Sequence, residues 1–304
     1  MRIRNYLYAG LDFIFDREGH VWFIEANGCT RGFVEYRRLY KSEEPVKELA
    51  KAIKRKGNAN CVLISKKEKY RKGSASNKWL FYKLKKYTKL HACNIEDNRK
   101  NTNHLVDTKG KKVKPSSLLV HDYYKFNKEL TSKISTINDT ELVTFVKNKY
   151  KTFRLISKKT KIKTPKSFIV NNNRELRRIL GRHFFRQGYV VKPVIGGEGT
   201  GVVVVGDHEK MPKITGRMIV QERIIPKLIH KKYWDVRIFI INGKFCGGFM
   251  RESIHRVTNI CRGGKAYKVP KRILEKLKKP SIEVVKAIEQ NFRKQNLNNL
   301  SNNS

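Results

Sequence analysis

Apolar and polar positions alternate from the first residues of the chain. Gly10 to Asp16 reads as a strand, Arg17-Glu18-Gly19-His20 as a tight turn, and Val21 to Gly28 as a second strand. The strands of a hairpin share their faces. Asp12, Glu25 and Asn27 can therefore converge, and Glu25 and Asn27, two apart, point the same way. Residues 45–56 switch to helical spacing, with Val46, Leu49, Ala50 and Ile53 on one face, and Gly57-Asn58-Ala59-Asn60 ends the pattern. Cys61 to Ser65 is a short buried-type strand, Trp79 to Leu84 a helix, Val106 to Gly110 a turn, and Leu118 to Val120 another apolar run. This strand–helix–strand rhythm predicts a small α/β domain.

Helical periodicity returns over 140–158, through Leu142, Phe145, Val146, Phe153, Leu155 and Ile156. After Thr164-Pro165 comes a strand, Ser167 to Val170, and then a basic helix from Arg174 to Phe185. Tyr189 to Pro193 and Gly201 to Val205 are strands around a glycine loop, and Met218 to Glu222 is another strand. Trp234 to Asn242 and Lys244 to Met250 form a hairpin turned by Asn242-Gly243. Ser281 to Phe292 is helical, and the Asn-, Gln- and Ser-rich stretch 294–304 reads as disordered.

Charge sharpens this picture. The 304 residues carry 68 Lys and Arg against 26 Asp and Glu, a net charge of +42. The first thirty hold Arg2, Arg4 and Arg17 against Asp12, Asp16, Glu18 and Glu25, a net of −1, so the other 274 residues carry +43. Such a charge attracts nucleic acid, anionic surfaces or acidic polymers. Lys and Asn abundance with scarce Ala fits compositional drift equally well. No window approaches the ~18 consecutive apolar residues of a membrane span, and no leader pattern opens the sequence, so a cytoplasmic location is expected. The five cysteines (Cys29, Cys61, Cys93, Cys246, Cys261) are scattered without zinc spacing and read as reduced thiols.

Two stretches carry candidate chemistry. Asp12, Glu25 and Asn27 offer two carboxylates and an amide oxygen, hard ligands suited to Mg²⁺ bridging phosphates. Val190 to Val205 places Gly196, Gly197, Gly199 and Gly201 between β-branched strands, with Lys192 at the end of the entering strand. Glycine lets backbone N–H groups approach phosphate. The loop is neither a P-loop nor a dinucleotide fingerprint, because no Gly-Lys-Ser/Thr leads into a helix and a strand follows. A plain glycine-rich hairpin is the bland alternative. Lys149, among Lys147, Lys151, Lys158 and Lys159, reads alone as part of a solvated face. Asp16 competes with Asp12, and Arg251 could simply pair with Glu252.

In order, these segments resemble the ATP-grasp superfamily, closest to its RimK-like, glutamate-ligase branch. Asn148-Lys149 and Val191-Lys192-Pro193 are similar to the two nucleotide lysines, and Gly196 to Gly201 to the phosphate lid. Val220-Gln221-Glu222-Arg223-Ile224 resembles the adenine hinge. Asp235-Val236-Arg237-Ile238 with Gly243-Lys244 resembles the following hairpin, whose Asp touches the ribose. Arg251 and Asn259, before Arg262-Gly263-Gly264, resemble the phosphate- and metal-facing end, and Asp12, Glu25 and Asn27 match the metal ligands, with Asp12 at the family spacing from Glu25.

The resemblance implies an α+β / α/β chain of the ATP-grasp fold, two α+β subdomains clamping ATP behind a small α/β domain. The segments would be 1–40 (metal hairpin), 45–139 (preceding domain), 140–217 (lid subdomain), 218–293 (first part of the C-terminal subdomain) and 294–304 (tail). The family places the metal hairpin after the helix seen here at 281–292, so the order is permuted. Either 1–30 complete the site in the same chain, the preferred reading, or the hairpin belongs to a longer or tandem frame. The implied activity is an ATP- and Mg²⁺-dependent (or Mn²⁺-dependent) ligase joining a carboxylate to an amine or thiol through an acyl-phosphate. Arg251 would be catalytic, with Lys149, Lys192, Gly196, Gly197, Gly199, Gly201, Glu222, Arg223, Asp235 and Asn259 on the nucleotide. Arg31 is a candidate grip for a substrate carboxylate, and an acidic peptide or polymer acceptor would suit the charge. The competing reading is a non-catalytic, basic, nucleic-acid-binding protein on a degenerate scaffold of the same kind.

Overall fold

A computed structural model of the chain describes residues 7–28, 31–55, 61–65, 75–98, 104–120, 134–183, 185, 187–197, 199–206, 209–258, 260 and 263–301. The N-terminal segment folds as a hairpin of β1 (Tyr8–Phe15) and β2 (Val21–Asn27), followed by helices α1 (Phe33–Tyr40) and α2 (Glu44–Arg55). A parallel sheet comes next. Its strands β3 (Cys61–Ser65), β4 (Leu90–Asn94), β7 (Ser117–Val120) and β8 (Ser135–Ile137) lie in the order β4-β3-β7-β8. Helix α3 (Ala75–Lys85) and a small β5 (Leu105–Val106)–β6 (Lys112–Val113) ribbon accompany it.

Helical periodicity over 140–158 resolves into two helices, α4 (Thr140–Lys147) and α5 (Lys149–Lys159). Asp139 caps the first, accepting from the Glu141 and Leu142 amides. Asn148 adopts φ −80°, ψ 92° and accepts from the Lys151 amide. An Asn side chain in extended backbone ends one helix and starts the next, which periodicity alone cannot reveal. The break places Lys149 on the first turn of α5.

A second sheet, ordered β11-β10-β12-β9, is antiparallel. It consists of β9 (Ser167–Val170), β10 (Tyr189–Pro193), β11 (Val203–Val205) and β12 (Met218–Glu222), backed by helix α6 (Asn173–Arg182). On β10, Tyr189 and Val191 join the small core under α6 with Val170, Leu176 and Val220. Val190 and Lys192 take the opposite face.

The largest sheet decides the arrangement. β13 (Tyr233–Ile241), β14 (Lys244–Ser253) and β15 (Lys265–Tyr267) run antiparallel, and β13–β14 turns at Asn242 and Gly243, both at positive φ (52° and 75°) as a type I′ turn requires. β1 then pairs antiparallel with the free edge of β13, giving β15-β14-β13-β1-β2. The N-terminal hairpin thus completes the sheet within one chain. Asn138 fixes it there. The side chain accepts from the Tyr8 amide at 2.8 Å and donates to the Tyr8 and Gly28 carbonyls at 2.7 and 3.0 Å. Gly28 passes so close to Val143 that an added Cβ would stand 2.7 Å from its methyl carbon.

Period two sorts the faces of this sheet. Leu11, Phe13, Val236, Ile238 and Ile240 pack against α4, α5 and the long helix α7 (Lys271–Ser301), which contributes Leu277, Val284 and Ile288. Helix α7 is longer than the predicted 281–292. It runs through Pro280, and Ser281 Oγ donates to the Leu277 carbonyl at 2.6 Å. It also continues over 294–301, where composition predicts disorder, because extending an established helix fixes one residue per bond; residues 302–304 lie outside the described residues. On the opposite face, Tyr8, Phe239, Ile241 and Phe249 pack against α2 and α3, joining the parallel-sheet region to this sheet. The remainder of that face carries charge. Cys93 and Cys246 are buried free thiols. Among the described residues no helix is long and apolar enough to cross a membrane.

Candidate active site

Strand register builds the floor of a cleft. Asp12 lies opposite Glu25 on β2 and opposite Arg237 on β13, and Asp235 lies opposite Arg251 on β14. Arg237 Nε and Nη2 donate to Asp12 Oδ1 and Oδ2 at 2.8 and 2.7 Å. Arg251 Nη2 stands 3.0 Å from Asp12 Oδ2, and its Nε and Nη2 donate to Asp235 at 2.6 and 2.7 Å. Thr258 Oγ1 donates to Asp235 Oδ2. The result is an alternating chain, Arg237, Asp12, Arg251, Asp235, Thr258, whose middle three members are buried.

Burial alone would raise the Asp12 carboxyl, but Arg237 and Arg251 outweigh it and hold the group below its ordinary value. Burial wins at Asp235, which is raised despite Arg251, with Asp12 adding to the rise. Burial would lower both guanidiniums; their carboxylate partners instead raise them.

The roof comes from the second sheet. Lys192 is buried, its Nζ 4.7 Å from the centroid of the Phe153 ring. Desolvation pushes its pKa down to about 8, Lys149 acts in the same direction, and Glu25 and Asp12 oppose. Lys149, at the start of α5, donates from Nζ to the Gly196 carbonyl at 2.5 Å and stands 3.4 Å from Glu25 Oε1. Its amide also bonds the Val194 carbonyl at 3.1 Å, tying helix to lid strand. Gly199 and Gly201 take φ of 70°, the left-handed region that favours glycine.

Floor and roof enclose one cavity of about 790 Å³. Asp12, Glu25, Asn27, Lys149, Lys192, Gly196, Gly197, Gly199, Glu222, Arg223, Asp235 and Arg251 all line it. Apolar side chains of Ile14, Ile24, Val190, Ile224, Trp234 and Phe249 also line it, with Arg31 and Glu35. Gly201 does not line it; an added Cβ there would stand 3.0 Å from Pro193, so this glycine serves the turn into β11. Asn259 and Arg262 lie outside the described residues. Asp16 is absent from the lining. Burial works against its ionisation, but hydrogen bonds from Trp22 and His20 prevail and hold its carboxyl low, which makes it the organiser of the β1–β2 turn.

The structure supplies the partners of two expected site residues. Arg251 pairs with Asp12 and Asp235, while Glu252 pairs with Lys232 at 2.8 Å. Both Asp235 oxygens accept hydrogen bonds, from Arg251 and Thr258, so Asp235 holds Arg251 in place at the cavity wall. Sequence reasoning missed Arg237. Its signal was present: Asp235 and Arg237 alternate with apolar residues on a strand, so both charges share one face.

Asp12, Glu25 and Asn27 suit a hard divalent cation by donor type, since facing strand positions present two carboxylates and an amide oxygen to one cavity. Asp12 is already countered by two guanidiniums and Glu25 by Lys149. Eight Lys and Arg side chains and five carboxylates line the cavity, a balance that suits an anion.

Residues 146–293 match the model of the RimK-like ATP-grasp domain. Over 137 residues the chain is 26% identical to the coenzyme gamma-F420-2:alpha-L-glutamate ligase of Methanocaldococcus jannaschii, covering 44% of this chain and 47% of that protein. The Methanococcus maripaludis protein of the same name is 26% identical over 133 residues, 42% of this chain and 46% of that one. The match thus spans about half the length of these curated relatives. Among solved structures, a putative gamma-glutamylcysteine synthetase from Methylobacillus flagellatus KT superposes with a TM-score of 0.58 at 11% identity, over 96% of this chain and 90% of that one. D-alanyl-alanine synthetase A from Vibrio cholerae gives 0.51 at 10% identity, over 76% and 81%. At such identities the likeness is one of fold.

Proposed function

From the match of residues 146–293 to the RimK-like ATP-grasp domain we propose that the protein is an ATP-dependent ligase that activates a carboxylate as an acyl-phosphate and joins it to an amine. One observation carries the reading. A single cavity in one chain brings Lys149, Lys192 and the glycine loop against Asp12, Glu25 and Asn27.

In the proposed reaction a carboxylate oxygen of the substrate attacks the γ-phosphorus in line, and the bond to the bridging oxygen breaks with its electrons leaving on ADP. The amine then attacks the acyl carbon, inorganic phosphate departs and the nitrogen loses a proton to solvent. Catalysis of this kind is positioning and charge stabilisation. Lys149 and Lys192 hold the phosphates beneath the backbone N–H groups of Gly196, Gly197 and Gly199. Glu222 and Arg223 stand at the adenine hinge. Arg251, oriented by Asp235 and Asp12 through Nε and Nη2, offers its Nη1 donors and its charge to the transferring phosphate. Asp12, Glu25 and Asn27 would hold a divalent cation, which supplies charge neutralisation at the γ-phosphate; Mg²⁺ is the expected ion, with Mn²⁺ able to serve. Arg31 is positioned to grip a substrate carboxylate. The hairpin order is read as a permutation of the family arrangement.

The test is binding and turnover of MgATP. Wild type should bind it and release ADP when offered a carboxylate and an amine, while Lys192→Ala and Glu25→Ala lose turnover by about a hundredfold or more. Absence of MgATP binding by the wild type would overturn the reading.

A further inference from the structure

Helix α6 covers the side of the lid sheet that faces away from the cavity: Tyr189 and Val191 point toward it, whereas Val190 and Lys192 point the other way. Leu176 is buried in the lid core, and Ile179 and Leu180 pack against it. The outer face is different. Arg174, Arg177, Arg178 and Arg182 are all exposed and fall within one side of the helix. Arg174, Arg178 and Arg182 follow one another at about 6 Å of helical rise. Among the described residues none of the four has an ion-pair partner. The single acid of the helix, Glu175, is turned to its N-terminus, where its carboxylate accepts from the Asn171 amide at 2.8 Å and from Asn171 Nδ2 at 3.0 Å.

Compositional drift does not explain this face. The chain has 45 lysines and 23 arginines, so drift supplies lysine, yet this helix has four arginines and no lysine. Guanidinium groups bind phosphate through paired planar donors, which ammonium groups cannot do. No exposed apolar side chain interrupts the four, so nothing there is suited to reading the side chains of a polypeptide. A regular line of phosphodiesters fits instead, drawn in by the net charge of +42.

We propose that the outer face of α6 is a sequence-independent docking surface for the sugar–phosphate backbone of a nucleic acid, on the opposite side of the lid sheet from the cavity. The surface is independent of the ligase reading and leaves the cleft free.

The experiment measures anisotropy of labelled oligonucleotides, single-stranded and duplex, with the full chain at ~50–200 mM salt. Arg174→Gln, Arg177→Gln, Arg178→Gln and Arg182→Gln are combined. The control has the same charge change, with Lys271, Lys276, Lys278 and Lys279, all exposed on α7, changed to Gln. Gln is a good helix former; should the fourfold variant fail to fold, the pairs 174/178 and 177/182 replace it. The arginine variant should bind at least about thirtyfold more weakly at ~0.1 M salt, with the slope of log affinity against log salt reduced by about 3, and the control should lose less than a third of that slope. Equal losses in the two variants would assign binding to diffuse charge and overturn the proposal. So would absence of binding at ~50 mM salt, or tighter capture of poly-L-glutamate than of an oligonucleotide of equal length.

Discussion

The floor and roof of the cleft handle buried charge in opposite ways. On the five-stranded floor, Arg237, Asp12, Arg251 and Asp235 neutralise one another through bonds of 2.6–3.0 Å. On the roof, Lys192 is equally buried but has only an aromatic ring at 4.7 Å and carboxylates acting at a distance. The floor is therefore a structural network that faces the cavity. The roof holds a cation whose desolvation no close carboxylate offsets among the described residues. Substitutions on the floor should act on stability, and substitutions on the roof on binding.

The largest effect is expected at Asp12. Asp12→Ala leaves two buried guanidiniums without their shared partner, and loss of about 3–5 kcal/mol of stability should follow in chemical denaturation; an unchanged midpoint would break the contrast. Asn138→Ala removes the hydrogen bonds to the Tyr8 amide and to two carbonyls at the hairpin junction, which should cost about 2–3 kcal/mol by the same measurement. Lys192→Met removes a desolvated charge. It should leave the denaturation midpoint unchanged or higher, while affinity for a non-hydrolysable ATP analogue falls about tenfold or more by calorimetry. A Lys192→Met protein that unfolds more easily would put Lys192 with the floor.

The pH dependence is subtler. Lys192 has a folded pKa of about 8, below its ordinary value of 10.5. Between about pH 8 and 10.5 the unfolded chain binds more protons at this position than the native one, so this residue makes stability rise with pH across that window. Its charge is lost as pH rises through about 8, so analogue affinity should weaken by a few-fold between pH 7 and 9. Lys192→Met should flatten that change. The smallest effect belongs to the rim, where Arg256 reaches from the loop after β14 to Glu209 beside the lid, at 2.8 and 2.9 Å. Arg256→Gln should speed analogue release by less than about threefold, because exposed pairs contribute little.

Much of this was legible beforehand because it is written in local pattern. The glycine loop, the Asn242-Gly243 hairpin and strands β10 and β12 follow from turn chemistry and period two, as does the shared side of Glu25 and Asn27 on β2. Other features depended on partners distant in sequence. The split at Asn148 turned on one capping side chain. Helix α7 passes Pro280 because its buried face is packed on the sheet. Arg237 could be read as a charge on a strand, but not as the partner of Asp12, 225 positions away.

The sequence by itself determined which charged and polar side chains share a strand face, since residue type and spacing set both donors and faces. It left open whether the opening hairpin belongs to the rest of the chain. Only the tertiary structure decided that, because β13 has one edge paired with β14 and the other filled by β1. A strand edge must be paired or covered, and its alternation then sets Asp12 beside Arg237 and turns a line of residues into one side of a cleft.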